Sequence, residues 1–230
     1  MSKLRIPIRR LAFPAAAMFV AAVLSACGDN KLGPNTPATV ARSAGDSQTV
    51  LAGNRASAPL VAQVLNSSGS PLPNVPVRWS VTGGGGSVSS VQDTTDANGK
   101  ASTTYFSPAL VATAKVTATA GQGSGAFTIK VAPDTVGTLS ASSGNGSAGL
   151  VGSSLTLVAK AADRFGNAMS GVTVNWSSAT GVLKSTSGVT DSTGKTSNVV
   201  TVGPDTGTVS VLASSRFNTV TFTVSALKAP

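Results

Sequence analysis

Short stretches of alternating apolar and polar residues recur along most of the chain. In residues 75–81, valines and one tryptophan occupy every second position, with proline, arginine and serine between them. Residues 155–161, 209–213 and 220–224 alternate in a similar way, and clusters of Gly, Asn, Asp and Ser separate the stretches. A period of two is typical of a strand with one buried and one exposed face. The pattern therefore predicts antiparallel sheets that pack face to face as a sandwich.

The second half of the chain repeats the first. Val75–Ser80 recurs ninety-seven positions later as Val172–Ser177, and Thr95–Lys100 recurs ninety-five positions later as Thr190–Lys195. The two-residue difference falls in a glycine-rich loop, where a deletion leaves the strands on either side in register. We therefore predict an all-β protein with two tandem domains of one fold. Their predicted boundaries are residues 45–133 and 134–230.

Each copy has one tryptophan, Trp79 or Trp176, at the centre of its clearest strand. An exposed indole would offer a stacking platform for a sugar. A buried indole would fill the core between two sheets, which suits a strand whose residues at two-residue spacing are mostly valine. The pattern favours burial.

The residue types that the chain lacks narrow its chemistry. There is no His, no Glu and a single Cys among 230 residues, and only 11% of the residues are charged. The commonest general base and the commonest metal ligand are therefore missing, and neither an intramolecular disulfide nor a cysteine-cluster metal site can form. A cryptic hydrolase would need a concave pocket with converging ionisable groups, which tandem sandwiches rarely supply. We expect a non-enzymatic protein.

Three side chains with oxygen ligands, Asp93, Asp96 and Asn98, lie close together in the sequence before Gly99. A calcium loop of the EF-hand type needs a bidentate Glu as well, and this chain has none. In the second copy, Gly188 takes the position of Asp93. The segment is therefore better explained as a turn in which Asp or Asn accepts hydrogen bonds from its own backbone. We expect no metal site and no cofactor.

The first 27 residues have the features of an export signal. Residues 1–10 carry four basic side chains and no acid, and the apolar stretch 11–26 is shorter than the ~20 residues of a membrane-spanning helix. Leu24–Cys27 resembles the bacterial lipobox, in which the cysteine receives a diacylglyceryl group. The resemblance implies a signal peptide at residues 1–26, lipid attachment at Cys27 and anchoring in a membrane. The alternative is an ordinary secretory signal, or an uncleaved anchor, with an incidental cysteine.

Residues 27–44 contain two prolines, two glycines and no apolar periodicity, so they are predicted to form a flexible tether. Removal of the signal peptide changes the formal net charge from +9 to +5, because four basic residues are lost. The remaining cations are scattered, without a basic run, and no nucleic-acid partner is expected.

Both copies resemble the bacterial immunoglobulin-like domain of group 1, the repeat of invasin and intimin. The family has a turn with Gly, a strand with the pattern V-x-V-x-aromatic-Ser, a Gly-rich loop and then T-D-x-x-G-K-A. Residues 66–88 and 95–101 fit closely, whereas the second copy keeps Thr190–Lys195 and has a shorter loop at Ala179–Gly181. The resemblance implies two tandem immunoglobulin-like antiparallel β-sandwiches of the kind used as stacking modules in surface adhesins.

These observations predict a lipid-anchored protein of the cell envelope whose two domains act as a structural spacer or as an adhesion or interaction module. Gly28 after the cysteine is compatible with sorting to an outer membrane in a bacterium that has one. The alternative function is a module that binds surface polysaccharide or peptidoglycan. Arg164 and Phe165, adjacent in a predicted loop, are the candidate contacts for a glycan or protein partner. In the simpler alternative, Phe165 folds back and covers one end of its own sandwich.

Overall fold

The computed structural model describes Gly33 and residues 35–135, 137–228 and 230. The predicted signal peptide, Cys27 and the first part of the predicted tether lie outside the described residues. Strands, turns and irregular segments make up the described part of the chain, and it contains no helix of the length and apolarity that crossing a membrane requires.

Ten strands among the described residues build the first sandwich. They are β1 (Thr39–Ala44), β2 (Thr49–Leu51), β3 (Leu60–Leu65), β4 (Pro76–Gly83), β5 (Ser87–Val88), β6 (Gln92–Thr94), β7 (Lys100–Thr103), β8 (Tyr105–Phe106), β9 (Ala112–Ala120) and β10 (Gly123–Ala132). One sheet has the strand order β1-β3-β7 and the other β2-β10-β9-β4-β6, while β5 and β8 form a separate pair.

The second sandwich repeats this arrangement with nine strands in the described residues. They are β11 (Gly137–Ser143), β12 (Ala148–Leu150), β13 (Ser154–Asp163), β14 (Thr173–Ser178), β15 (Val182–Leu183), β16 (Ser187–Val189), β17 (Lys195–Thr201), β18 (Gly207–Ser214) and β19 (Thr219–Leu227). The sheets have the orders β11-β13-β17-β15 and β12-β19-β18-β14-β16. The predicted fold class is thereby confirmed.

Two short ladders run parallel, and the other strand pairs of the described residues are antiparallel. β2 runs parallel to β10 with Val50 opposite Val131, and β12 runs parallel to β19 with Gly149 opposite Ala226. The chain therefore joins one sheet through β1 and the opposite sheet through β2, and the second sandwich repeats this with β11 and β12. The first strands of each copy thus tie its two sheets together.

Each sandwich has its own buried core, and a tryptophan lies in each. Trp79 is 2% exposed and its ring centroid lies 5.6 Å from that of Phe127. Trp176 is 3% exposed and lies 5.6 Å from Phe222. The prediction that both indoles are core residues is confirmed, which removes them as an exposed stacking platform.

The predicted tether extends too far towards the C-terminus. β1 covers its last six residues and pairs with β3, and Val40 is buried in the first core. The segment has a single large apolar residue, so hydrophobic alternation could not reveal it. Its ladder of backbone hydrogen bonds with β3, rather than a buried stripe of side chains, makes it a strand.

One threonine in each copy shows why the repeated motif begins with this residue. The Thr95 hydroxyl donates to the Leu72 carbonyl at 2.7 Å and accepts from the Val75 N–H at 2.9 Å. In the second copy, the buried Thr190 hydroxyl donates to the Met169 carbonyl and accepts from the Val172 N–H at the same distances. The hydroxyl thus satisfies two backbone groups that are shielded from water.

Candidate functional site

The loop between β13 and β14 begins with a side chain that organises its backbone. Asp163 Oδ1 accepts hydrogen bonds from the N–H groups of Phe165 and Asn167, both at 2.9 Å. Between these residues Gly166 adopts a φ of +87°, which glycine allows without a steric penalty. Asn66 makes the equivalent turn in the first copy, with the N–H groups of Ser68 and Ser70 as donors. The two loops therefore share a backbone and differ in the side chains that they present.

The second oxygen of Asp163 binds the segment that joins the two sandwiches. Oδ2 accepts the N–H of Asp134 at 2.9 Å and the side-chain amide of Asn167 at 2.8 Å. Burial raises the pKa of the Asp163 carboxyl, but the hydrogen bonds from Asn167, Asp134 and Phe165 outweigh burial, so its pKa lies below its usual value. The carboxylate is therefore charged at neutral pH, and it fixes Asp134 against the second sandwich.

Asn167 links this loop directly to the first sandwich. Its Nδ2 donates to the carbonyl of Ala109 at 2.7 Å, and its Oδ1 accepts the N–H of Val111 at 3.2 Å. Ala109 and Val111 lie in the segment between β8 and β9. The Asn167 amide thus bonds directly to the first sandwich, in the segment between β8 and β9. It also bonds to the Asp163 carboxylate, which in turn bonds to the joining segment. We call residues Asp134, Asp163, Arg164, Phe165 and Asn167 with their contacts the junction.

The two candidate contact residues from the sequence lie in this junction. Arg164 Nε forms an ion pair with Asp134 Oδ2 at 2.8 Å, and its guanidinium lies 4.7 Å from the centroid of the Phe165 ring. Phe165 covers Gly53 of the first sandwich so closely that a β-carbon there would lie 2.5 Å from Cζ of the ring. The Arg164 side chain is 49% exposed and Phe165 is 37% exposed. The contacts seen for both residues are within the chain, and binding of an outside partner through them stays a prediction.

The sequence placed Asp163 and Asn167 in the candidate loop and Asp134 at the domain boundary, but it did not predict a contact for any of these three residues. For Asn167 the available signal was the difference between the two copies, since the loops share a turn but Asn167 takes the place of Ser70. Asp134 lies at the predicted domain boundary. Its burial depends on the neighbouring sandwich, so the sequence around it could not predict that it is buried. Cys27, the predicted lipid-attachment residue, lies outside the described residues.

The acidic turn before Gly99 uses its oxygens for the backbone. Asp96 Oδ1 accepts the N–H groups of Asn98 and Lys100 at 2.8 and 2.9 Å, and Asp93 Oδ2 accepts the N–H of Ser102 at 2.7 Å. These bonds confirm the turn interpretation. No group of three or more acidic or Cys side chains placed to hold a metal ion occurs within residues 35–135 and 137–228.

Two surface depressions among the described residues each contain one ionisable side chain. A cavity of about 100 Å³ at the far end of the second sandwich is lined by residues 203–209 and Thr180, and Asp205 is the single ionisable side chain among them. A wider depression beside β14 has Arg216 alone. General acid–base catalysis at either place would lack a partner group.

Comparison with known proteins finds a family model that matches the first sandwich. Residues 42–136 match the family model described as bacterial Ig-like domain (group 1), which confirms the predicted resemblance for this part of the chain. A search of curated proteins found no match.

Several solved structures are similar to the chain. The Escherichia coli adhesin FdeC is 17% identical, with 83% of this chain and 64% of that chain covered and a TM-score of 0.49. The D0-D1 domain of intimin is 17% identical, with 83% and 97% covered and a TM-score of 0.34. Invasin, described as a bacterial integrin-binding protein, is 19% identical, with 84% and 40% covered and a TM-score of 0.41.

Proposed function

We propose that this chain, whose first sandwich matches the bacterial Ig-like domain (group 1) family, is a non-enzymatic, lipid-anchored protein of the cell envelope. Its two sandwiches act as a spacer that holds an interaction surface at a set distance and angle from the membrane. The observation that carries this proposal is the junction, in which the Asn167 amide bonds to the first sandwich and the Asp163 carboxylate bonds to the joining segment and to the Asn167 amide.

A spacer requires that its parts keep one mutual orientation. The junction combines hydrogen bonds from Asn167 to Ala109 and Val111 with a ring placed on Gly53. Each hydrogen bond contributes about 1 kcal/mol net, and the ion pair between the half-exposed Arg164 and the buried Asp134 adds to them. Together these contacts favour one docked arrangement over the many orientations that a free linker would allow.

The spacer proposal is tested by the distance between the two sandwiches. Nitroxide labels are placed at Ser102→Cys and Ser197→Cys, which are equivalent exposed positions on β7 and β17, with Cys27 replaced by Ser. We expect one narrow distance distribution by double electron–electron resonance. A broad distribution with several maxima would show freely moving domains and would end the spacer proposal.

The anchor is supported by the order of basic segment, apolar stretch and lipobox before Cys27. Acylated Cys27 would hold the protein on the membrane, since more than one acyl chain gives stable attachment. Cells are labelled with palmitate, and the mature chain is expected to carry the label and to remain with the membranes. A Cys27→Ala variant that still carries the label would remove the anchor from the proposal. The control variant Ser25→Ala retains a small residue before the cysteine and is expected to remain labelled.

A further inference from the structure

The larger sheet of the second sandwich has no charged residue in its strands. This sheet consists of β12, β14, β16, β18 and β19, and its outward side chains are mostly Ser and Thr. Charged residues near it, such as Asp205, Arg216 and Lys228, lie in the adjoining loops and termini. We call these outward side chains the uncharged face.

The equivalent sheet of the first sandwich carries three exposed cations. The register of the repeat pairs each of them with an uncharged residue of the second sandwich. The pairs are Arg78 with Asn175, Lys115 with Ser210, and Lys130 with Ser225. Since the two sheets have the same strand arrangement, the fold does not require this difference.

Large apolar residues replace small or polar ones on the same face. Leu212 stands where the first copy has Thr117, Leu227 where it has Ala132, and Val189 where it has Thr94. These three residues and Leu150 on the same face are between 38% and 61% exposed, and they are four of the six exposed large hydrophobic residues described for the second sandwich. Loss of charge together with gain of apolar surface is typical of a protein contact surface.

We propose that the uncharged face pairs with the same face of a second copy of this chain. A strongly charged partner would bury its own charges here without opposite charges to pair with them, which is unfavourable. A second copy avoids this cost at the uncharged face. Elsewhere two copies repel each other, because each mature chain has a net charge of +5 if the signal peptide is removed.

The membrane anchor of the proposed function suits this pairing. Copies attached by their N-termini stand side by side in the same direction, and a two-fold axis along the membrane normal brings identical faces together. The sheet presents sixteen outward side chains, fewer than the about 20–30 residues per side of a stable complex. Pairing is therefore weak in dilute solution and increases when the membrane raises the local concentration.

A single cysteine on the face tests the proposal. Thr221, exposed on β19 and opposite Leu212 in the register, is replaced by Cys, and the lipidated chain is oxidised in its membranes. A two-fold axis that passes near the middle of the uncharged face brings Thr221 close to its own counterpart. Thr221→Cys is therefore expected to form at least tenfold more disulfide-linked dimer than Ser197→Cys on the opposite sheet. Equal yields at the two positions, or no dimer at either, would overturn the proposal.

Lysine substitutions on the uncharged face provide a second test of the pairing. Ser210→Lys with Ser225→Lys gives the second sandwich two of the lysines of the first, and we expect dimer formation through Thr221→Cys to fall about tenfold. Thr138→Lys with Ser197→Lys adds the same charge to the opposite sheet and should leave the yield unchanged. Unchanged tryptophan fluorescence and melting temperature confirm that each variant is folded. Crosslinking that persists with lysines on the face contradicts the proposal.

A failure of the anchor is distinguished from a failure of the pairing. The same cysteine variants are oxidised in solution with Cys27 replaced by Ser, over a range of protein concentrations. If the pairing is correct, the preference for Thr221→Cys over Ser197→Cys appears as the concentration rises, whether or not the chain is lipidated in cells. If Thr221→Cys gives no more dimer than Ser197→Cys in solution and in membranes, the pairing is wrong. Palmitate labelling then decides separately whether the chain is lipid-anchored.

Discussion

Replacing Asn167 by Ala is expected to loosen the junction without unfolding either sandwich. The variant loses both hydrogen bonds to the first sandwich, at 2.7 and 3.2 Å, and the bond to Asp163 Oδ2. The turn itself remains, because Asp163 Oδ1 still accepts two backbone N–H groups of the loop.

The expected loss of docking free energy depends on whether these hydrogen bonds are exposed to water. The groups that Asn167 leaves unpaired on the first sandwich are exposed, so water replaces the lost partner. Two such bonds contribute about 1–2 kcal/mol to docking. The ratio of docked to undocked molecules should therefore fall about 5–30-fold.

The distance distribution between labels at residues 102 and 197 measures this change. We expect the narrow peak of the parent chain to broaden in Asn167→Ala, while the melting temperature of each sandwich changes little. Ser70→Ala is the matched control, since Ser70 has the equivalent position in the first copy, away from the junction. An unchanged peak in Asn167→Ala, or equal broadening in the control, would refute the role given to this amide.

Three further predictions concern the ring contact, the carboxylate and the buried hydroxyl. Gly53 and Gly152 occupy equivalent positions, with φ of +69° and +82°. Replacing either by Ala should lower the stability of its sandwich by about 1–2 kcal/mol, because a residue with a β-carbon is strained at these angles. Only the Gly53→Ala side chain meets the Phe165 ring, so only this variant should broaden the interdomain distances. Because the pKa of Asp163 is lowered in the folded protein, its contribution is complete above the usual carboxyl pKa of about 3.9 and is lost as the pH falls through the lower native value. The distances should thus stay constant from pH 8 to 5 and broaden below about pH 4; broadening near pH 6 would contradict this. Thr190→Val leaves two buried backbone groups unpaired and should cost about 2–4 kcal/mol in a denaturant titration, whereas Thr190→Ser should lose less than half of that.

The sequence predicted the sandwiches wherever the alternation was strong. Residues 75–81 and 220–224 gave clear periods of two, and residues 76–81 and 220–224 lie in strands that place Trp79 or Phe222 in a core. β1 was missed because its stability depends on backbone pairing with β3, which leaves almost no hydrophobic pattern. The same limitation applies to very short strands such as β15, whose two residues define no period.

The candidate site was predicted only in part. Arg164 and Phe165 drew attention because an acid–base pair and an aromatic are adjacent in a loop, and the structure places both residues at the junction. Their contacts depend on Gly53 and Asp134, the first of which is more than one hundred residues away in the chain. The local sequence around a loop does not show which distant residues lie next to it in the folded chain. For the same reason, the bonds of Asn167 to the segment between β8 and β9 became visible only in the folded chain.

The parallel ladders of β2 with β10 and of β12 with β19 have a mechanical consequence. In each, the strand near the start of a sandwich runs in the same direction as its last strand, so the chain enters at one end and leaves at the other. Tension applied between the membrane and the far end would then pull the two strands of a ladder past each other. Shear of this kind loads all the hydrogen bonds of the ladder at once, whereas a pull on neighbouring ends would open them one after another. A pull along the chain thus loads the parallel ladder of each sandwich in shear.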